Sequence, residues 1–102
     1  MFQPLDGPAA QIKIAVDTVT VKELKIGGAT LIERKIIEIQ PLDGKIYYYY
    51  GDGASTPSAA TITANGFFLR KEQIRIIEAS DTQPVFMIAD AGTVNVAVAE
   101  RA

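Results

Sequence analysis

Apolar and polar residues alternate along most of this chain. From Gln11, the residues Ile12, Ile14 and Val16 fall on one face and Gln11, Lys13 and Ala15 on the other. A period of two predicts a half-buried strand. Asp17 interrupts it. Val19 and Val21 then alternate with Thr18, Thr20 and Lys22, and a one-residue bulge near Lys22–Glu23 brings Leu24 and Ile26 back into register. The clearest strand lies near the end, where Val94, Val96 and Val98 face one way and Thr93, Asn95, Ala97 and Ala99 the other. Residues 85–89 (Val-Phe-Met-Ile-Ala) are continuously apolar, which predicts a strand covered on both faces.

Turn signals divide these runs. Gly27-Gly28 and Asn65-Gly66 suit two-residue hairpins, and Pro41-Leu42-Asp43-Gly44 suits a turn in which Pro presets φ. Lys45 to Tyr50 is the return strand after that turn, and Thr61-Ile62-Thr63 and Phe67 to Leu69 read as short strands. Residues 51–60 form the longest loop, rich in Gly, Ser, Pro and Ala. Ala29 to Gln40 fits both a helical stripe and a strand; its Ile content, the preceding Gly pair and Pro41 favour the strand. Gln73 to Ala79 carries the same ambiguity. Ile36-Ile37-Glu38 and the strand after it echo Ile76-Ile77-Glu78 and its successor. The echo fits two similar hairpins facing each other, or chance in a restricted alphabet.

The sum is an all-β domain, an antiparallel β-sandwich or small barrel of about eight or nine short strands. Residues 1–10, with Pro4, Gly7 and Pro8, read as an irregular arm, and 11–102 as one domain. The arm is either a frayed terminus or a segment that docks on a neighbouring subunit through Phe2 and Leu5.

Composition agrees: 13 Ile and 7 Val stand against 5 Leu in 102 residues, and β-branched side chains suit a pleated surface. With 10 basic and 12 acidic residues and no basic run, a phosphate-tracking surface for nucleic acid is not expected. No apolar stretch is long enough to predict a membrane span, and Met1–Pro8 lacks the pattern of a signal peptide. The chain has no Cys and no His, so Cys/His metal sites and His-dependent nucleophilic catalysis are excluded.

Asp43, Asp52, Asp81 and Asp90 lie at turns. Paired carboxylates can hydrolyse glycosidic bonds or hold calcium, but no dense D-x-D-x-D-G loop is present, and backbone capping explains Asp at a turn. Glu33, Arg34 and Lys35 read as solvated charges at a strand end. No catalytic, cofactor-binding or metal-ligating residue is assigned, and an enzyme is not expected.

Tyr47-Tyr48-Tyr49-Tyr50 is the most unusual run. In a strand, one pair fills the core and the other lies on the outer face. That outer pair either contacts a subunit or partner, stacks on sugar, or is covered within the monomer. Phe67-Phe68 poses the same question, since adjacent residues cannot share one face. Oligomerisation that buries the second face of this strand is the expected answer.

From Tyr50-Gly51 onward the order of strand endings is distinctive. It runs through Thr63-Ala64-Asn65-Gly66-Phe67-Phe68-Leu69, Ile74 to Glu78, Val85-Phe86-Met87-Ile88-Ala89-Asp90 and Gly92-Thr93, and closes on Val94 to Glu100. This half of the chain resembles small all-β virion proteins of tailed bacteriophages. The resemblance implies a structural role in the virion as a homo-oligomer, with a trimer favoured. A capsid decoration or cement protein bound to the major capsid protein is the first expectation, and a neck or tail component the second. The resemblance implies neither a cofactor nor a nucleic-acid or membrane partner.

Overall fold

The Val-x-Val-x-Val segment becomes the hub of the first sheet. In the computed structural model, which describes residues 9–25 and 30–102, strand β8 (Val94–Arg101) buries Val94, Val96 and Val98. On one side it pairs along its whole length with β1 (Ala9–Val16), from Ala9 opposite Arg101 to Val16 opposite Val94. On the other side lies β3 (Ile36–Pro41), and beyond it β6 (Arg75–Glu78). The order is β1-β8-β3-β6.

The second sheet is built around β7 (Val85–Ala89). Its neighbours are β2 (Lys22–Glu23) and β4 (Ile46–Tyr50), with β5 (Phe67–Leu69) beyond β4, in the order β2-β7-β4-β5. Every pairing is antiparallel. Ile37, Ile39, Ile77 and the three valines of β8 meet Ile46, Tyr48, Leu69, Val85, Met87 and Leu24 from the other sheet. The described residues thus form an all-β sandwich of eight strands. Most connections cross between the sheets. β3 leads to β4 and β6 to β7 in this way, and the two units lie side by side. The echo therefore corresponds to two strand pairs that each straddle the sandwich, rather than to hairpins within a sheet.

β7 is buried at every position. Val85, Met87 and Ala89 face the main core. Phe86 and Ile88 face outward, into a second cluster with Ile62, Val21, Tyr47, Tyr49 and Ala59. The cover is helix α1 (Ala59–Asn65). It replaces the short strand expected at Thr61-Ile62-Thr63. Ser58 caps it by accepting from the Thr61 amide at 3.1 Å, and the helical turn aims Ile62 at the sheet. Asn65-Gly66 is accordingly the end of a helix and not a hairpin. Gly66 is extended there, and a Cβ would stand 2.5 Å from the Ile62 carbonyl and 2.7 Å from that of Tyr48. Close approach of helix end to strand, rather than turn geometry, requires this glycine.

Two further expectations are corrected. The alternation through Val19 and Val21 does not form a continuous strand. The Asp17 carboxylate accepts from the Val19 amide at 2.9 Å and the Thr20 amide at 2.6 Å, so the chain turns and Val19 is left exposed. Local capping outcompetes the ladder here. The Gly27-Gly28 turn lies outside the described residues.

Arg34, read as a solvated charge, is buried at 2 % exposure, and Glu100 at 1 %. A guanidinium has five N–H donors in a fixed fork, and each finds an acceptor. Nε donates to the Ala79 carbonyl, and the two terminal nitrogens donate to Leu24, Ser80 and Gln83 carbonyls and, at 2.9 Å, to Glu100 Oε2. The Leu31 amide also donates to Glu100 Oε2 at 3.3 Å. At the opposite end, Asp43 accepts from the Asn95 amide and side chain at 2.8 and 3.0 Å, bonds that hold its pKa below 3.8.

If Ile62 is the anchor of the second cluster, Ile62→Ala should lower unfolding free energy by about 2–5 kcal/mol, the usual cost of such a cavity. Urea denaturation followed by circular dichroism measures this. A loss within error of zero would show that α1 merely rests on the sheet.

Candidate interaction surface

The four tyrosines alternate as a strand demands, but neither pair forms a fully open outer face. Tyr48 points into the core opposite Met87 and Phe67 and is buried. Its hydroxyl accepts from Arg75 at 3.0 Å. Tyr47 and Tyr49 lie on the outer face beside α1 and are half-buried. Tyr50, at the strand end, is the exposed one. The bland alternative for the outer pair, cover from within the monomer, holds for much of its surface.

Exposed apolar groups collect instead along one side of the sandwich. Phe67 is 52 % exposed and stacks on Tyr48 with ring centroids 5.2 Å apart. Tyr50 meets Phe67 edge-on at 6.1 Å. Phe68 points to the outer face, 5.2 Å from Tyr47, with the Lys45 ammonium 5.9 Å from its ring centre. The contact from Arg75 to Tyr48 places the β6 edge beside the β5 edge. On that edge, register decides which isoleucines are covered. Ile77 lies opposite Ile37 and turns inward, so Ile76, opposite Glu38, turns outward and is 60 % exposed. Ile74 is exposed as well. Tyr50, Phe67, Phe68, Ile74 and Ile76 thus border the β5/β6 edge, with Phe68 on the outer face of the second sheet and Ile76 on the opposite outer face, that of the first. Ile74 and Ile76 were absent from the sequence-predicted set, although the period of two within an Ile-rich run signals that one must face out. Phe2 and Leu5 lie outside the described residues.

The turn aspartates do not converge. Asp43 is engaged by Asn95, Asp52 by the amides of Ala54 and Ser55, and Asp81 by the Glu33 amide. Among the described residues no three acidic side chains are grouped as a metal site requires. A cleft of about 410 Å³ lies between Tyr49, Tyr50, Asp52, Ser55 and Thr61. It has an aromatic wall and a polar rim.

No protein-family model matches the chain, and comparison with curated proteins finds no match. What the fold defines is its class, a two-sheet antiparallel sandwich with one apolar side.

Burial raises the Tyr47 hydroxyl pKa above 10.0, helped by the nearby Asp90 carboxylate; burial and then Tyr48 raise that of Tyr50. A raised phenol favours the neutral form, so its share of stability is present below pH 10 and lost as pH rises through the folded value. Ultraviolet titration of the folded protein should show a late phenolate component that Tyr47→Phe and Tyr50→Phe each reduce. Ionisation of Tyr47 and Tyr50 at the ordinary value of a free phenol would contradict this placement.

Proposed function

We propose that this protein is a structural component of a bacteriophage virion that works by assembling with copies of itself, as a decoration or cement protein on the capsid surface. The observation that carries the assembly reading is the apolar side formed by Tyr50, Phe67, Phe68, Ile74 and Ile76. A standard interface buries about 800 Å² per partner. Fully covered aromatic side chains contribute about 150–250 Å² each, but these five groups are already about half-buried, so they supply only part of one. The order of strand endings from Tyr50 to Glu100 supports the virion assignment, with the major capsid protein as second partner. A neck or tail position uses the same self-association. The cleft beside Tyr49 and Tyr50 supports a second reading, a saccharide-binding module, in which the monomer is the active form.

Light scattering across a dilution series separates these readings. The wild type should be a trimer or a larger ring, and it should bind bare capsids. Tyr50→Ser with Phe67→Ser should shift the mass toward the monomer while the circular dichroism spectrum is kept. A wild type that stays monomeric at every concentration and binds polysaccharide would favour the saccharide reading and refute assembly.

A further inference from the structure

We propose that copies of this chain join head to tail by extending the first sheet, β6 of one copy pairing antiparallel with β1 of the next and Glu78 facing Lys13. The inference rests on the assembly reading and gives it a geometry.

The sheet order β1-β8-β3-β6 contains four strands, each antiparallel to its neighbours. Its two edge strands therefore run in opposite directions. A second copy in the same orientation meets the first antiparallel, and the ladder continues without a flip. Among the described residues, β1 pairs only with β8 and β6 only with β3. β1 is the longest edge, at 8 residues, whereas β2 and β5 at the edges of the other sheet have 2 and 3. Free edges usually carry charges, prolines or bulges that block pairing. Residues 9–16 hold one charge, Lys13, and no proline.

Side-chain parity selects the register. On β6, Arg75 and Ile77 face inward and Ile76 and Glu78 outward; on β1, Ile12, Ile14 and Val16 lie on the core face with their partners on β8. Placing Glu78 opposite Lys13 of the next copy sets Ile77 against Ile14, and the exposed Ile76 against the small Ala15. Opposite charges and large-on-small pairs are both favourable across a ladder. A shift of two residues either way keeps the parity but places Lys13 against Ile76 or Ser80 and loses the charge pair. Pairing β1 with β1 of a second copy brings the lysines together and leaves Ile76 and Ile74 uncovered.

The same placement accounts for Ile12, which is 44 % exposed although it belongs to the core face. It comes opposite Ala79, at the end of the sheet where Tyr50 and Phe67 of the neighbouring copy lie open between the two layers. The contact is heterologous, so it closes into a ring when the rotation per copy divides a full turn.

The chain has no cysteine, so introduced thiols report this contact alone. Lys13 and Glu78 are both exposed, and Lys13→Cys and Glu78→Cys should leave the fold intact, as circular dichroism would verify. Directly opposed residues in an antiparallel pair have Cα atoms about 4.5–5.5 Å apart, within the span of a disulfide. Under mild oxidation, a mixture of the two single variants should give a cross-linked dimer containing one of each, absent when either is oxidised alone. The double variant should give a ladder ending at the ring size. Cross-linking of Lys13→Cys with itself would overturn the inference in favour of a two-fold β1 pairing. A wild type that is oligomeric by light scattering, with no cross-link in the mixture, would also overturn it while leaving assembly standing. A monomeric wild type would remove both.

Discussion

A guanidinium buried in an apolar sandwich imposes the tightest constraint on this chain. Taking Arg34 and Glu100 out of water costs several kcal/mol per ion (about that much after relaxation). The cost is offset only if the geometry is good and every remaining donor is met. Arg34 meets that condition through Glu100 and four backbone carbonyls drawn from two separate connections. Those carbonyls sit where the chain leaves β2, leaves β6 and approaches β7, places where no ladder partner is at hand. One side chain thus closes an end of the sandwich that the sheets alone leave open.

The exposed side depends on the same end. Gln83, whose carbonyl accepts from Arg34, donates through its amide to the Gly51 carbonyl at 2.8 Å. The Gly51 amide in turn donates to the Pro84 carbonyl at 2.9 Å. These bonds fix the residue that follows Tyr50, and with it the angle at which Tyr50 leaves the strand beside Phe67. Stability and the proposed contact surface are therefore linked through a short chain of hydrogen bonds. One side is covered by α1, one end is closed by Arg34, and the β5/β6 side keeps its apolar groups in water.

Much of the fold was legible because period-two patterns survive wherever one face is buried. Val94 to Val98 and the fully apolar Val85–Ala89 show this directly. The failures have physical causes. Thr61-Ile62-Thr63 has strand propensity, yet the Ser58 cap and the demand of Phe86 and Ile88 for a cover make it helical. Asn65-Gly66 looks like a hairpin, but its glycine answers a close approach that only the tertiary structure reveals. Arg34 was missed, although Glu100 continues the inward phase of Val94, Val96 and Val98. A carboxylate on that face calls for a buried cation, and this signal was present in the sequence. For the surface, the aromatic run drew attention to β4, while the exposed set is completed by isoleucines whose direction only the β3–β6 register determines.

The central claim is that the Arg34–Glu100 pair holds the sandwich closed, and a double-mutant cycle tests it most directly. Arg34→Met, Glu100→Leu and the double variant would be compared with the wild type by equilibrium denaturation. Breaking a buried pair from either side should cost about 3–5 kcal/mol. Replacing both partners with apolar side chains should cost clearly less than the sum of the single losses. Small and additive losses would contradict the account, because they would mean that the two groups neither depend on each other nor close the fold.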